Sequence, residues 1–269
     1  MSNHTSGLIP PLIIICRDGD YVCGVGNNAQ WWLTPAVMRS SNAFIIYDPD
    51  GSSLDTFALS FSDNDYVLKI LNLSDVGRGM RYNPFKYVKD EHSITKLVDA
   101  LMSGTEGLCE PGDIDFFISE TMLLNALISY IHREAPTYEQ NIQMLTKVLE
   151  HMIIEDYQEG DISAVDVLFE DIEAKDPWHP SVLRYNEFKE SVDDSEHAMR
   201  IAESCIVRLA PFNTPQMEWL MSGDDLRLDN LTAHKTALFV VDGDADEGSK
   251  LLIPLMYSQL NDALYQKRT

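Results

Sequence analysis

The chain has 269 residues, 45% of them hydrophobic, and 43 acidic against 20 basic side chains give a formal net charge of −23. That length and apolar fraction support one or two folded domains with a substantial core and exclude a disordered chain. Affinity for nucleic acid comes mainly from Lys and Arg displacing counterions, so so large a negative charge disfavours direct DNA binding.

The first part of the chain reads as α/β. Leu12 to Cys16, Ala43 to Tyr47 and Tyr66 to Leu71 are short runs rich in Ile, Val and aromatics, each bounded by Asp, Gly, Asn or Pro, as buried strands are. Asp18-Gly19 marks a turn, and Tyr21 to Cys23 is a second candidate strand ahead of Gly24 and Gly26. Asn83-Pro84 holds the chain extended as it leaves the sheet. From Asp90 to about Ala210 the periodicity becomes helical. Phe117, Leu124, Leu127, Ile128 and Ile131 share one helical face, which predicts a helix over Asp113 to Arg133 with Asp113 as N-cap and Pro136 as its stop. Further helices are expected at Ser93 to Met102, Glu139 to Ile154, Ser163 to Ala174, Val182 to Ser191 and Glu196 to Arg208. Thr236 to Val241 then returns as a strand, and Ser249 to Tyr265 closes as an amphipathic helix. This order predicts an α/β domain in two pieces, residues 1–88 and 213–269, with an all-α domain inserted over 89–212.

Between Glu155 and Asp176 lie nine acidic residues against Lys175 alone, a pattern that serves either as a solvated helix face or as a docking surface for a basic partner. Cys16, Cys23, Cys109 and Cys205 form no Cys-x-x-Cys pair and read as reduced, packed thiols, which fits a cytoplasmic compartment. The longest uninterrupted apolar run, Leu12 to Cys16, falls far short of the roughly 18 residues of a membrane span, so no transmembrane segment is expected. His151 and Glu155 share a helix face, but no third ligand stands close in sequence, and a surface role is expected for the histidines. No Ser-His-Asp or Cys-His signature is present.

A series of short blocks carries more information. Arg81-Tyr82-Asn83-Pro84-Phe85-Lys86-Tyr87 opens it, followed by Gly112-Asp113 ahead of an apolar helix, Glu134-Ala135-Pro136 with Glu139-Gln140-Asn141, and Asp176-Pro177-Trp178-His179. Tyr185 with Phe188-Lys189, Arg208-Leu209-Ala210-Pro211-Phe212-Asn213 and Lys235 to Val241 complete it. In their order and spacing these blocks resemble the type IV secretion coupling proteins, the TraG-like conjugative ATPases, from about Phe44 to Tyr265. The resemblance implies a partial RecA-like P-loop NTPase sheet with an inserted all-α domain. It also implies a role in DNA transfer beside other subunits of the conjugation or secretion machinery, at the cytoplasmic face of the membrane.

The motor chemistry of that family is not evident in these residues. A phosphate loop needs glycines so that backbone amides can close around phosphates, a lysine for the outer phosphates, and a hydroxyl for Mg²⁺. Aligning the family's proline with Pro35 leaves Gly24 and Gly26 in place but sets Asn28 at the lysine position and Ala29 at the hydroxyl position, and no Gly-Lys-Ser/Thr occurs anywhere in the chain. Where the family carries Asp-Pro-Lys-Gly-Glu, this chain has Asp48-Pro49-Asp50-Gly51-Ser52, again with less positive charge. Leu238 to Asp242 imitates the strand that ends in Asp-Glu, but Gly243 follows, and the chain reaches Thr269 before the family's own Asp-Glu strand. Gly24, Gly26 and Asn28 are therefore expected to mark a vestigial phosphate loop and Asp48 a vestigial second loop, in a truncated relative without ATP hydrolysis or a bound ATP/Mg cofactor.

Other readings stay open. Gly24 to Ala29 also fits Gly-x-Gly-x-x-Ala, with Asp48 nineteen residues beyond Ala29 where a ribose-binding acid sits in a dinucleotide site, although Pro35 interrupts the intervening helix. Alternatively, a second chain supplies the missing half of a split ATPase. Trp31 and Trp32 either pack on the sheet or fill the space of a nucleotide base. Arg208, at the end of a helix, suits the helix dipole. An incomplete sheet leaves an edge that invites association, so the chain is expected to form a homo-oligomer or to need a partner.

Overall fold

Five strands form: β1 (Leu12–Arg17), β2 (Asp20–Val25), β3 (Ala43–Tyr47), β4 (Val67–Asn72) and β5 (Thr236–Val241). They come from a computed structural model that describes residues 12–17, 20–25, 43–105, 114–231 and 233–265. One sheet holds them in the order β2-β1-β3-β5-β4. β5 runs parallel between β3 and β4, whereas β1 is antiparallel to β3 and β2 antiparallel to β1. The chain is thus mixed α/β, with a parallel core of three strands and an antiparallel hairpin at one side.

The parallel core explains its own sequence. A strand flanked on both sides and covered on both faces has no solvated side, so β5 is a continuous apolar run, and each of its residues is buried. Phe44 and Ile46 of β3, Ala237 and Phe239 of β5, and Phe61 and Tyr66 form one cluster, with Leu54, Phe57 and Leu68 packed against it. Phe61 lies edge-on to Phe44 at 5.3 Å, to Tyr66 at 5.2 Å and to Phe239 at 5.8 Å. Such pairs add about 0.5–1.5 kcal/mol each beyond their buried area.

Phe61 belongs to helix α1 (Ser52–Ser62), a stretch to which the sequence analysis assigns no element. Gly51 begins it with φ of 73°, a left-handed conformation that glycine adopts without steric cost. The crossover β3-α1-β4 leaves one strand position vacant between its ends, and β5 fills it from the far end of the sequence.

The intervening chain is helical: α2 (Glu91–Gly104), α3 (Ile114–Glu134), α4 (Ile142–Glu150), α5 (Ala164–Lys175), α6 (Pro180–Glu190), α7 (Ser195–Leu209) and α8 (Pro215–Met221). α9 (Glu247–Lys250) and α10 (Leu252–Tyr265) follow β5. Local chemistry sets several boundaries. Asp90 and Ser93 form a reciprocal capping box at α2, as do Ser163 and Asp166 at α5. α4 starts later than its periodicity suggests because Asn141 accepts from the Met144 amide at 2.8 Å, which fixes the cap there.

Two compact units result: one holds the sheet, and the other comprises Asn83–Gly223 with Pro254–Met256. The breaks fall at residues 82/83 and 223/224 rather than at 88/89 and 212/213. The 3-10 turn Pro84–Tyr87 buries Pro84, Phe85 and Tyr87, and Asn83 donates to the Gln140 carbonyl at 2.8 Å, so this block belongs with the helices. α8, which the periodicity did not reveal, buries Met217, Leu220 and Met221 in the same unit.

Candidate functional site

In an open α/β sheet, ligands bind beyond the carboxyl ends of the parallel strands. Here those ends are closed by Asp48 after β3, Asn72 at the end of β4 and Asp242 after β5. Asp48 is 1% exposed, and its two carboxylate oxygens accept the backbone amides of Ser53 at 3.0 Å and Leu54 at 2.7 Å. These are amides of the first turn of α1, where a helix offers unpaired donors and the positive end of its dipole. The anion position at the start of α1 is therefore filled by the chain's own carboxylate. Asp50 accepts from the Ser52 amide and hydroxyl at 3.1 and 2.7 Å, adding a second acid to the same turn.

Asp242 is 5% exposed, and Tyr47 donates its hydroxyl to Asp242 Oδ2 at 2.7 Å. Burial first, and then this bond, push the Tyr47 hydroxyl up, so it stays protonated as the donor. Asp242 Oδ1 has no hydrogen-bond partner among the described residues. Gly243, with φ of 24°, donates its amide to the Pro49 carbonyl at 2.6 Å, and a Cβ there would lie 2.7 Å from Ser74 Oγ. The positive φ and these close approaches favour glycine at the position after Asp242.

Gly24, expected in a loop, is a strand residue in β2 opposite Ile13. Leu12 to Cys16 and Tyr21 to Cys23, the two candidate strands ahead of Gly26, are the two arms of one antiparallel hairpin. Gly26, Asn28, Ala29, Trp31 and Trp32 lie outside the described residues, as do Gly112 and Asp113.

The helical unit differs in surface and in core. Residues 83–223 carry 27 acidic and 10 basic side chains, net −17, against 16 and 10, net −6, in the rest of the chain. Ten of the twelve large apolar side chains exposed among the described residues lie here, including Trp178 at 79% and Ile114 at 74% exposure. Inside, Arg208 of α7 is 8% exposed and bonds both oxygens of Glu120 of α3, at 3.0 and 2.8 Å. The helix-dipole reading of Arg208 is thus joined by a buried ion pair, with Ser204 and Thr105 beside it. α3 is long and apolar enough to cross a membrane, but it packs against α2, α4, α6 and α7 and buries Leu123 to Ser129, as a core helix does.

The sequence blocks act as mortar. Arg81 grips Asp225 through Nε and Nη2, at 2.8 and 3.0 Å, pairing the outgoing and returning chain. Gln140 closes the end of α3 by donating to the carbonyls of His132 and Ala135, both at 3.0 Å. Tyr185 stacks on Phe169 at 3.9 Å and donates to Asp166, which also takes Lys189 at 2.9 Å. His151 caps its own helix by contacting the Lys147 carbonyl, and no group of three potential metal ligands occurs among the described residues.

A family model for type IV secretory system conjugative DNA transfer matches residues 32–269. No curated protein matches the chain.

Proposed function

The chain belongs to the type IV secretory system conjugative DNA transfer family, and from that premise we propose that it works as a protein-docking component whose acidic helical unit engages a basic partner. Its role lies in conjugative DNA transfer or type IV secretion, a membrane-associated system. The observation that carries the docking reading is the concentration of charge. A net −17 on the helical unit, interspersed with exposed aromatic and aliphatic side chains, attracts a basic protein surface and offers it apolar contact. The same field repels DNA, so the partner is a protein of the transfer machinery, an intact coupling-protein subunit among them, met at the cytoplasmic face of the membrane.

In this reading the sheet derives from a RecA-like motor without ATP hydrolysis. Support comes from Asn28 and Ala29 at the positions of the lysine and hydroxyl and from Asp48 on the α1 amides. These residues do not suit a polyphosphate with its Mg²⁺. Gly26, Asn28 and Asp48 are then remnants of two phosphate-side loops, with Gly24 in the strand ahead of the first.

Carbodiimide cross-linking of the chain with purified transfer-machinery proteins tests the docking role. Cross-links from carboxylates within residues 83–223 to lysines of a transfer protein are expected; cross-links confined to the sheet unit would refute it. Calorimetry with Mg-ATP tests the nucleotide side. The native chain should give no heat, and micromolar binding would place the phosphate loop elsewhere.

A further inference from the structure

The helical unit contains a groove of about 590 Å³ between the first turns of α3 and the junction of α6 with α7. We infer that this groove receives a short extended segment of the partner protein that carries a lysine or arginine side chain beside an apolar one. The inference rests on the docking role proposed above and locates it.

Each part of such a segment has a counterpart in the lining. Phe116 and the half-exposed Ile118 form an apolar wall on α3, and His197 of α7 stacks beside Phe116 at 6.5 Å. Asp115 and Asp193 stand exposed on the two sides of the groove. Asp193 holds His197 only loosely, at 3.8 Å, and the carboxylate of Asp115 makes no hydrogen bond among the described residues. Both carboxylates are therefore open to a cation. The floor is polar and fixed: Ser191 Oγ donates to the Phe188 carbonyl at 2.7 Å and lies 3.0 Å from Oγ of the buried Ser119. Arg200, further along α7, makes no ion pair among the described residues. Its guanidinium offers donors to main-chain carbonyls of an extended peptide. An apolar wall, two acids and a fork of donors match an apolar side chain, a basic side chain and a peptide backbone. They do not match a nucleic-acid strand, whose phosphates the acids repel.

The test uses the full chain and two fluorescein-labelled, end-blocked hexapeptides, one alternating leucine with lysine and one alternating leucine with glutamate. Anisotropy should show salt-sensitive binding of the lysine peptide and none of the glutamate peptide. The double variant Asp115→Asn/Asp193→Asn should weaken binding roughly tenfold or more, since close charge pairs at interfaces are worth 1.4 kcal/mol and upward. A control of equal charge change, Glu170→Gln/Asp171→Asn on α5, lines no part of the groove and should change binding less than about twofold. Ile118→Ser should weaken the lysine peptide without altering the salt dependence. Equal losses in the groove and control variants would overturn the groove while leaving the acidic docking role standing. Absence of any lysine-peptide binding at millimolar concentration would remove both, and equal binding of the glutamate peptide would overturn the groove's charge preference and with it the inference.

Discussion

The sheet unit and the helical unit use acidic residues in opposite ways. In the sheet unit the acids at the strand ends are buried: Asp48 accepts two backbone amides on its two oxygens, and Asp242 accepts Tyr47 on one of its own. In the helical unit one acid, Glu120, is buried against Arg208, while most others crowd the surface without partners strong enough to fix them. A carboxylate set on a helix N-terminus stabilises the fold and excludes other anions. One left in solvent contributes field and solubility, and little to stability. The difference separates acids that serve the scaffold's own helix and strand ends from acids that keep their charge in solvent.

The buried ion pair gives the largest effect by which that contrast can be broken. Glu120 is 1% and Arg208 10% exposed at the side chain, so Arg208→Met should cost about 3–5 kcal/mol by stranding a buried carboxylate. Glu120→Leu added to it should recover most of that loss in urea unfolding. If the single variant were as stable as the native chain, Glu120 would have to reach solvent.

Next in size is Asp48. Asp48→Ala removes the acceptor for two α1 amides and should cost about 1–2 kcal/mol, with Asp48→Asn losing less because one oxygen remains. A stability unchanged in both variants would show that the acid is not the cap. Sulfate that stabilised Asp48→Ala more than the native chain would confirm that the vacated position takes anions.

A smaller effect comes from His132, whose imidazole is held below its ordinary value first by burial and then by Arg133. The unfolded chain takes up that proton first as pH falls past about 6.5, so the folded state loses stability below that value. The melting temperature should fall between about pH 7 and pH 5 in the native chain, and less in His132→Gln. Identical slopes would assign the loss to other groups.

Smallest of all should be the surface acids. Glu155→Gln/Asp156→Asn/Glu159→Gln should leave stability within about 0.5 kcal/mol, since these residues are exposed or nearly so. A loss above that would mean the acidic loop is structural, and the contrast between the units would blur.

Much of the architecture was legible in the residues. β3, β5 and the helical stretch between β4 and β5 follow from continuous apolar runs and from period 3.6, both of which record burial directly. α1 was hidden because Asp48 to Ser52 reads as a turn, and its cap lies three residues outside the usual position. α8 is seven residues long, too short for periodicity to show. Of the four proposed loop residues, Asp48 received a role the sequence did not suggest, and Gly24 proved to be a strand residue, since a lone glycine carries no periodicity.

The sequence by itself determined the acid excess, the absence of any Gly-Lys-Ser/Thr in the chain, and the order of the family blocks, because charge and residue identity need no fold to be read. Only the tertiary structure decided that β5 sits between β3 and β4, that Arg208 meets Glu120 across 88 residues, and that Asp115 and Asp193 face one groove. Those pairings join residues far apart in the chain, and no local pattern records a partner that packing alone supplies.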